Sequence, residues 1–202
     1  MFNLKTSIAV AALALAGAAH AAGPNLVADG TFAGSAGSFT TVGNTGSIGA
    51  WTVGGNSVDW IGSYWTPPVG QSVDLDGNDP GAISQTLTGL VGGEYTVTFD
   101  LSGNPDGGFS TKTVDVSLGG GPAQQVTFTT SSSGMTWDTE TLTFNVAAGD
   151  QTLSFVSADK NTPYGAAIAD VSVTAVPEPA SLGLLLAGIG MIGVMSSRRR
   201  AR

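Results

Sequence analysis

The densest group of aromatic side chains lies in residues 60–68, which contain Trp60, Tyr64 and Trp65. Aromatic rings can stack on the C–H faces of sugars, while the Tyr hydroxyl and the Trp N–H reach polar groups. Tyr64 and Trp65 directly precede Thr66 and two prolines, so we expect them on a loop. The stretch therefore predicts a carbohydrate-binding platform. The alternative is that Trp60, which alternates with Val58, belongs to the core and that Tyr64 or Trp65 covers one end of the fold.

Asn104 and Asp106 flank Pro105 in a segment that continues into two glycines. Proline fixes φ and glycine permits positive φ, so the composition predicts a turn. The two polar side chains can hydrogen-bond to their own turn. They can also contact a sugar hydroxyl, and we include both as candidate ligand-binding residues.

An acidic segment surrounds Gly77 and contains Asp74, Asp76, Asn78 and Asp79. The spacing resembles part of a cation-binding loop, but the glutamate that would complete an EF-hand is missing. A solvated turn is the interpretation that the sequence favours.

Side chains for catalysis are scarce. The chain has no cysteine, and its one histidine, His20, lies near the N-terminus. These absences exclude cysteine nucleophiles, Ser-His-Asp sites and sites built on histidine or thiolate metal ligands. A glycosidase needs two carboxylates at a defined separation, and Glu94 and Glu140 lie in no recognisable motif. We therefore predict no catalytic residue and a non-catalytic protein.

Charge is segregated along the chain. Lys112 and Lys160 are the two cations between Ala22 and Pro179, against 15 acidic residues, which gives this segment a net charge of −13. Such a surface repels phosphate backbones, so nucleic acid is excluded as a partner. It suits a secreted soluble protein or one that binds neutral glycans or divalent cations.

The N-terminus has the layout of a secretory signal peptide over residues 1–21. Lys5 precedes an apolar run from Ile8 to Ala19, and the small residues Ala19 and Ala21 occupy the two positions that signal peptidase reads. The sequence therefore predicts export, with signal peptidase as a processing partner and Ala22 as the mature start.

The C-terminus, residues 176–202, has three parts. Pro177, Glu178 and Pro179 come first, and the uncharged residues 181–197 follow. As a transmembrane helix these seventeen residues would rise about 26 Å, slightly less than a hydrocarbon core of about 30 Å. A cluster of arginines closes the chain, and its main members are Arg198, Arg199 and Arg200.

This tail resembles a PEP-CTERM sorting signal. The resemblance implies recognition and cleavage by an exosortase-type membrane enzyme of a Gram-negative bacterium. The protein would then be held transiently in the membrane and displayed in the cell envelope, at the surface or in the extracellular matrix. An ordinary membrane anchor is the alternative.

Short alternating runs rich in Val, Thr, Ile and Phe fill residues 22–175, and turn residues separate them. About ten such strands predict an all-β sandwich in a single domain. The glycine-rich segment 34–49 is interpreted as a long surface loop. Candidate strands cover Leu26–Phe32, Gly49–Val53, Ser57–Ile61, Val73–Leu75, Ala82–Leu87, Tyr95–Leu101, Val114–Leu118, Val126–Phe128, Leu142–Val146, Leu153–Phe155 and Ile168–Val173.

Several of these segments together resemble the choice-of-anchor C family. They include Asn25–Phe32, Ser57–Ile61, Ser72–Gly77, Tyr95–Pro105 and Tyr164–Val173. The domain is also similar to an uncharacterised domain of plant cell-wall proteins. The resemblance implies a galactose-binding-like jelly roll between the N-terminal signal helix and the C-terminal hydrophobic helix.

A structural calcium is the one cofactor that the resemblance implies. In such jelly rolls an acid after the first-strand Phe and an Asp on the last strand contribute ligands. Asp170 matches the last-strand acid, but Ala33 stands where the first acid is expected, and Asp29 is the candidate that would replace it. Calcium takes six to eight oxygen ligands, so these two acids would need further donors.

These observations predict an exported, non-catalytic protein that binds polysaccharide, such as an exopolysaccharide or a cell-wall glycan. A purely structural matrix or envelope protein is the alternative, and a glycan-active enzyme is less favoured.

Overall fold

The computed structural model describes residues 23–108, 110–131 and 134–177. The predicted signal peptide, the transmembrane helix 181–197, and the sorting residues Glu178, Pro179 and Arg198–Arg200 lie outside these ranges. Within the described ranges no helix is long and apolar enough to cross a membrane. The segment Ala22–Val176 forms one compact unit.

The described residues form β-strands joined by turns and loops. In chain order the strands are β1 (Phe39–Gly43), β2 (Ser47–Ile48), β3 (Trp51–Gly55), β4 (Ser57–Ile61), β5 (Ser72–Asp74), β6 (Gly81–Leu90), β7 (Gly93–Gly103), β8 (Thr111–Leu118), β9 (Gln124–Thr129), β10 (Asp138–Val146), β11 (Gly149–Ser157) and β12 (Ala166–Ala175).

The strands form two six-stranded antiparallel sheets. The order in the first sheet is β1-β4-β5-β12-β7-β10, and the order in the second sheet is β2-β3-β6-β11-β8-β9. The predicted fold class, an all-β jelly-roll sandwich, is confirmed. Two sheets of this kind bury a common core because alternate residues of each strand point inward.

The core lies between the sheets. Phe99 of the first sheet meets Phe155 of the second edge to face, with ring centroids 5.0 Å apart. Trp51 packs on Phe155 and on Phe32, and all four rings are buried. Because this core draws on both sheets, it fixes the position of the strands that carry the outer faces.

One strand prediction and one loop prediction are wrong. Residues Leu26–Phe32 form no strand, because Asp29 and Phe32 have φ values of 54° and 50°, and the chain turns there. The predicted loop 34–49 contains β1 and β2. Strand β1 lies at a sheet edge and is mostly exposed, so its sequence lacks the apolar alternation of a half-buried strand.

Strand β12 contains an irregularity at Asp170. Its pairing with β7 shifts between Ala169 and Ser172, and Asp170 has a φ of 44°. Next to this bulge, the Val171 N–H donates to the Gly30 carbonyl at 2.9 Å. The bulge therefore joins β12 to the first turn of the domain.

Candidate ligand-binding groove

The edge strand β1 and its neighbour β4 build one wall of a groove on the outer face of the first sheet. Phe39 pairs with Ile61, and Thr41 pairs with Asp59. All four residues line the groove, since residues two apart along a strand share a face. The groove has a volume of about 290 Å³.

Four further segments complete the groove. The loop after β4 brings Tyr64 and Trp65, the segment after β5 brings Gly77 and Asn78, and two further segments face them. The remaining lining residues are Asn104, Asp106, Pro163 and Tyr164.

Aromatic rings form one side of this groove. Tyr64 is 52% exposed, and its ring centroid lies 5.7 Å from that of Phe39 and 5.5 Å from that of Trp65. The Trp65 Nε1–H donates to Ser72 Oγ at 2.8 Å. Because this bond satisfies the polar atom of the indole, Trp65 contributes mainly ring carbon to the groove.

Two carboxylates supply the polar groups. The Tyr64 hydroxyl donates to Asp106 Oδ2 at 2.8 Å, and this bond together with the charge of Asp106 raises the pKa of Tyr64. The Thr41 hydroxyl donates to Asp59 Oδ1 at 2.5 Å. Partial burial raises the pKa of Asp59, and the bond from Thr41 offsets part of that rise.

Asp74 anchors the loop that carries Asp106. Its Oδ2 accepts a hydrogen bond from Asn104 Nδ2 at 2.7 Å, and its Oδ1 accepts from the backbone N–H groups of Asp76 and Gly165, each at 3.0 Å. Burial raises the pKa of Asp74 to about 8, although these three donors favour the ionised form. Asn104 also accepts from the Asp106 N–H at 2.9 Å, so one side chain joins the core carboxylate to the groove.

Lys112 hydrogen-bonds to the two segments of the groove that contain Gly107 and Tyr164. Its side chain is fully buried, and its Nζ donates to the carbonyls of Gly107 at 2.6 Å and Tyr164 at 2.7 Å. Burial lowers the pKa of Lys112, while the charges of Asp159 and other nearby carboxylates raise it. The ammonium therefore fixes both loops to β8.

The acidic segment around Gly77 is not the solvated turn that the sequence favoured. Asp74 and Asp76 are completely buried, whereas Asn78 is exposed. Burial raises the pKa of Asp76 to about 6. The nearby Ser157 hydroxyl offsets part of that rise, although neither carboxylate oxygen of Asp76 has a partner at hydrogen-bond distance among the described residues.

The structure brings together four of the five residues predicted to bind ligand: Tyr64, Trp65, Asn104 and Asp106. The fifth, Trp60, lies apart from them. Its ring packs against the core, and its Nε1–H donates to the Phe32 carbonyl at 3.0 Å. This is the core alternative that alternation with Val58 indicated.

Sequence reasoning missed several groove residues, above all Phe39, Thr41 and Asp59. Asp59 could have been found, because alternation with the buried Val58 directs it to the outer face of β4. Phe39 and Thr41 lie in the segment that was interpreted as a loop, and composition gave no signal for them.

The two acids predicted to bind calcium lie on segments that touch. Asp29 precedes Gly30 and Asp170 precedes Val171, and these two neighbours share the backbone hydrogen bond described above. Asp29 Oδ1 accepts from the Ala33 N–H at 2.8 Å, and Asp170 is exposed. Among residues 23–108, 110–131 and 134–177, no group of three or more His, Cys, Asp or Glu residues could hold a metal. Calcium there would need carbonyl and water ligands, and it stays a prediction.

Glu94 and Glu140 cannot act as a glycosidase pair. On the paired strands β7 and β10, Glu140 lies opposite Phe99 and Glu94 lies opposite Asn145. Five positions along a strand correspond to about 16 Å, beyond the separation of about 5–9.5 Å that glycosidases use. An odd number of positions also places the two side chains on opposite faces.

A larger cavity, of about 420 Å³, lies elsewhere on the surface, and none of the described residues that line it is aromatic. It is lined by Ser110, Thr111, Thr113, Ala158, Asp159 and Lys160. Binding sites combine apolar and aromatic surface with a few polar groups, so the smaller groove is the better candidate.

Two family models match the chain. Residues 25–174 match the family described as protein of unknown function, DUF642. Residues 175–200 match the PEP-CTERM protein-sorting motif. The predicted sorting signal is therefore confirmed. The predicted similarity to an uncharacterised domain is also confirmed, whereas the resemblance to the choice-of-anchor C family stays a prediction.

Among curated proteins, halomucin from Haloquadratum walsbyi is 33% identical over 184 residues. The match covers 85% of this chain but only 2% of the length of halomucin.

Among solved structures, a family 35 carbohydrate-binding module from Clostridium thermocellum is 13% identical, with a TM-score of 0.47. The match covers 68% of this chain and 99% of the module. The CBM36-1 domain of a xylanase from the hindgut metagenome of Trinervitermes trinervoides is 22% identical, also with a TM-score of 0.47, and the match covers 70% and 99% of the two chains.

Proposed function

The chain belongs to the DUF642 family, and on that premise we propose that it is an exported, non-catalytic protein that binds polysaccharide in the groove of the first sheet. The observation that carries the proposal is the juxtaposition of Phe39, Tyr64 and Trp65 with the polar groups of Asp59 and Asp106. Ring faces supply apolar contact to a sugar, and carboxylates accept hydrogen bonds from its hydroxyls.

The position of the groove supports an extended ligand. It lies at the edge of the sheet, and β1 is the edge strand, so a chain of sugars can enter and leave on either side. The four aromatic residues of the groove, which include Tyr164, come from three different segments, which gives successive sugar rings separate surfaces to contact.

The sorting motif supports the place of action. A PEP-CTERM motif over residues 175–200 implies processing by an exosortase-type enzyme, and with an N-terminal signal it would deliver the domain to the cell surface or the extracellular matrix. Exopolysaccharide or cell-wall glycan is available there. Membrane anchoring by residues 181–197 before cleavage, signal peptidase at Ala19 and Ala21, and a Gram-negative host belong to the same proposal.

Affinity gel electrophoresis against a panel of polysaccharides tests the binding function. The full chain is kept soluble in a polyoxyethylene detergent, which contains no sugar. We expect at least one polysaccharide to retard the protein. Tyr64→Ala or Phe39→Ala should weaken that binding about tenfold, or about 1.4 kcal/mol.

Val156→Ala is the matched control, because Val156 is an exposed apolar residue on β11 of the second sheet. It should leave retardation unchanged. Absence of retardation by every polysaccharide would favour the purely structural envelope protein. Release of new reducing ends from a polysaccharide would contradict the non-catalytic part of the proposal.

A further inference from the structure

We propose that the groove selects glycans that carry free amino groups, an inference that rests on the polysaccharide-binding function proposed above. Two carboxylates, Asp59 and Asp106, line a groove of about 290 Å³ together with four aromatic residues. Among the residues that the structure describes, the lining includes no lysine or arginine. Because the described lining is negatively charged, we infer that it favours glycans whose amino groups carry a positive charge.

The described residues contain two lysines, and neither neutralises the groove. Lys112 directs its Nζ to the carbonyls of Gly107 and Tyr164. The nearby charges that act on its pKa are those of Asp159, Asp74 and Asp76, rather than those of the groove carboxylates. Lys160 lines the other cavity.

The sheet register shows which carboxylates carry the charge of the groove. Asp59 on β4 lies directly opposite Asp74 on β5. Burial raises the pKa of Asp74 to about 8, so Asp74 is protonated at a pH at which a sugar amine is protonated, and it adds no negative charge beside Asp59. Among the described residues Asp59 accepts a side-chain hydrogen bond from Thr41, so the charges that a bound ammonium would meet are those of Asp59 and Asp106.

The rings favour the same kind of ligand. A cation within about 6 Å of the face of a Trp, Tyr or Phe ring is attracted by the ring quadrupole. Tyr64 and Phe39 border the groove that contains both carboxylates, so an ammonium on a sugar can contact a ring face and a carboxylate together. A uronate or sulfate would meet only repulsion from Asp59 and Asp106.

Three hexasaccharides that differ in charge test this selection. They are hexamers of glucosamine, of N-acetylglucosamine and of galacturonate, titrated calorimetrically into the full chain in polyoxyethylene detergent with 150 mM NaCl, at a pH at which the amines are protonated. We expect the glucosamine hexamer to bind at least about tenfold more tightly than its N-acetylated counterpart. The galacturonate hexamer should show no binding.

Matched charge variants distinguish the effect of the groove carboxylates on glycan preference from the effect of the protein's net charge. Asp59→Asn and Asp106→Asn should each reduce the preference for the amino form at least about fivefold. Asp106 lies on an exposed loop, so Asp106→Asn still tests the role of the groove carboxylates if Asp59→Asn unfolds the protein. Asp115→Asn makes the same charge change on β8 of the second sheet and should leave the preference intact.

Each other outcome overturns the inference. If Asp115→Asn reduces the preference for the amino form as much as Asp59→Asn does, the preference reflects general attraction to an acidic protein. Tighter binding of the galacturonate hexamer than of the glucosamine hexamer would reverse the proposed selectivity. No binding of the glucosamine hexamer would exclude the amino-glycan class. Equal, Tyr64-dependent binding of the amino and N-acetyl hexamers would remove the selectivity while leaving the polysaccharide-binding function standing.

Discussion

At the scale of single residues, Lys112 is central to the loops that surround the groove. Lys112→Met removes the hydrogen bonds to the part-buried carbonyls of Gly107 and Tyr164 and leaves the carboxylates of Asp74, Asp76 and Asp159 without their nearby cation. An unsatisfied buried polar group costs about 1–3 kcal/mol, so we expect at least about 3 kcal/mol less unfolding free energy. Urea denaturation measures this loss.

Lys160→Met is the control for that experiment, because Lys160 is exposed. Its effect should stay within about 0.5 kcal/mol, as for most surface substitutions. Equal stabilities for the two variants would show that Lys112 does not hold the loops.

Asp76 makes the stability of the protein depend on pH. Burial raises its folded-state pKa from 3.8 to about 6. Between these values the unfolded state loses its proton first, so the contribution of Asp76 to stability is present below about pH 4 and is lost as the pH rises through about 6.

Asp76→Asn keeps this position neutral at every pH. Its unfolding free energy relative to the parent should therefore rise by about 1–3 kcal/mol between pH 4 and pH 7, the upper value being what the full pKa shift would give. Urea denaturation at several pH values measures the difference. A difference that is flat with pH, or that Asp79→Asn reproduces, would contradict this account.

At the scale of elements, the sequence predicted strands where one face is buried. Residues 95–101 and 114–118 alternate apolar and polar side chains, and they lie in β7 and β8. Strand β1 was missed because most of its side chains are exposed. Residues 26–32 were misassigned because positive φ at Asp29 and Phe32 cannot be read from alternation.

The candidate site was also predicted only in part: the sequence identified several of its residues by type but not their position in space. Tyr64, Trp65, Asn104 and Asp106 stand out by residue type, so the sequence identified them. Their placement in one groove depends on contacts far apart in the chain, such as the bond between Tyr64 and Asp106 across 42 positions. No local pattern encodes that distance. Whether these residues bind a ligand stays a prediction.

Gly62 couples β1 to the aromatic loop. A Cβ at this position would lie 2.1 Å from the Gly37 carbonyl oxygen, and the Gly62 N–H donates to the Ser38 carbonyl at 2.9 Å. Gly62→Ala must therefore push the start of β1, and Phe39 with it, away from Tyr64.

We expect Gly62→Ala to cost about 1–3 kcal/mol of stability, as overpacking does, and to weaken polysaccharide binding. Thermal melting and affinity electrophoresis measure the two effects. Gly120→Ala is the control, since a Cβ there meets nothing within 4 Å. Unchanged binding in Gly62→Ala would mean that the position of β1 does not matter for the groove.

At the scale of the whole molecule, net charge and cation binding must be separated. The segment from Ala22 to Pro179 has two cations against 15 acids, and self-repulsion of this kind destabilises a compact state. Any salt should therefore raise the melting midpoint by screening. A calcium ion at Asp29 and Asp170 would add stability only in the native state, because the bulge of β12 and the first turn meet only there.

Melting in NaCl, MgCl2 and CaCl2 at equal ionic strength distinguishes the two effects. We expect a common rise in all three salts and a further rise in CaCl2, since calcium accepts the irregular oxygen ligands that two carboxylates and nearby carbonyls offer, whereas magnesium demands near-octahedral geometry. Asp170→Asn should abolish the calcium increment and keep the common rise. Equal midpoints in the magnesium and calcium salts would exclude a structural calcium and leave general screening as the whole effect of salt.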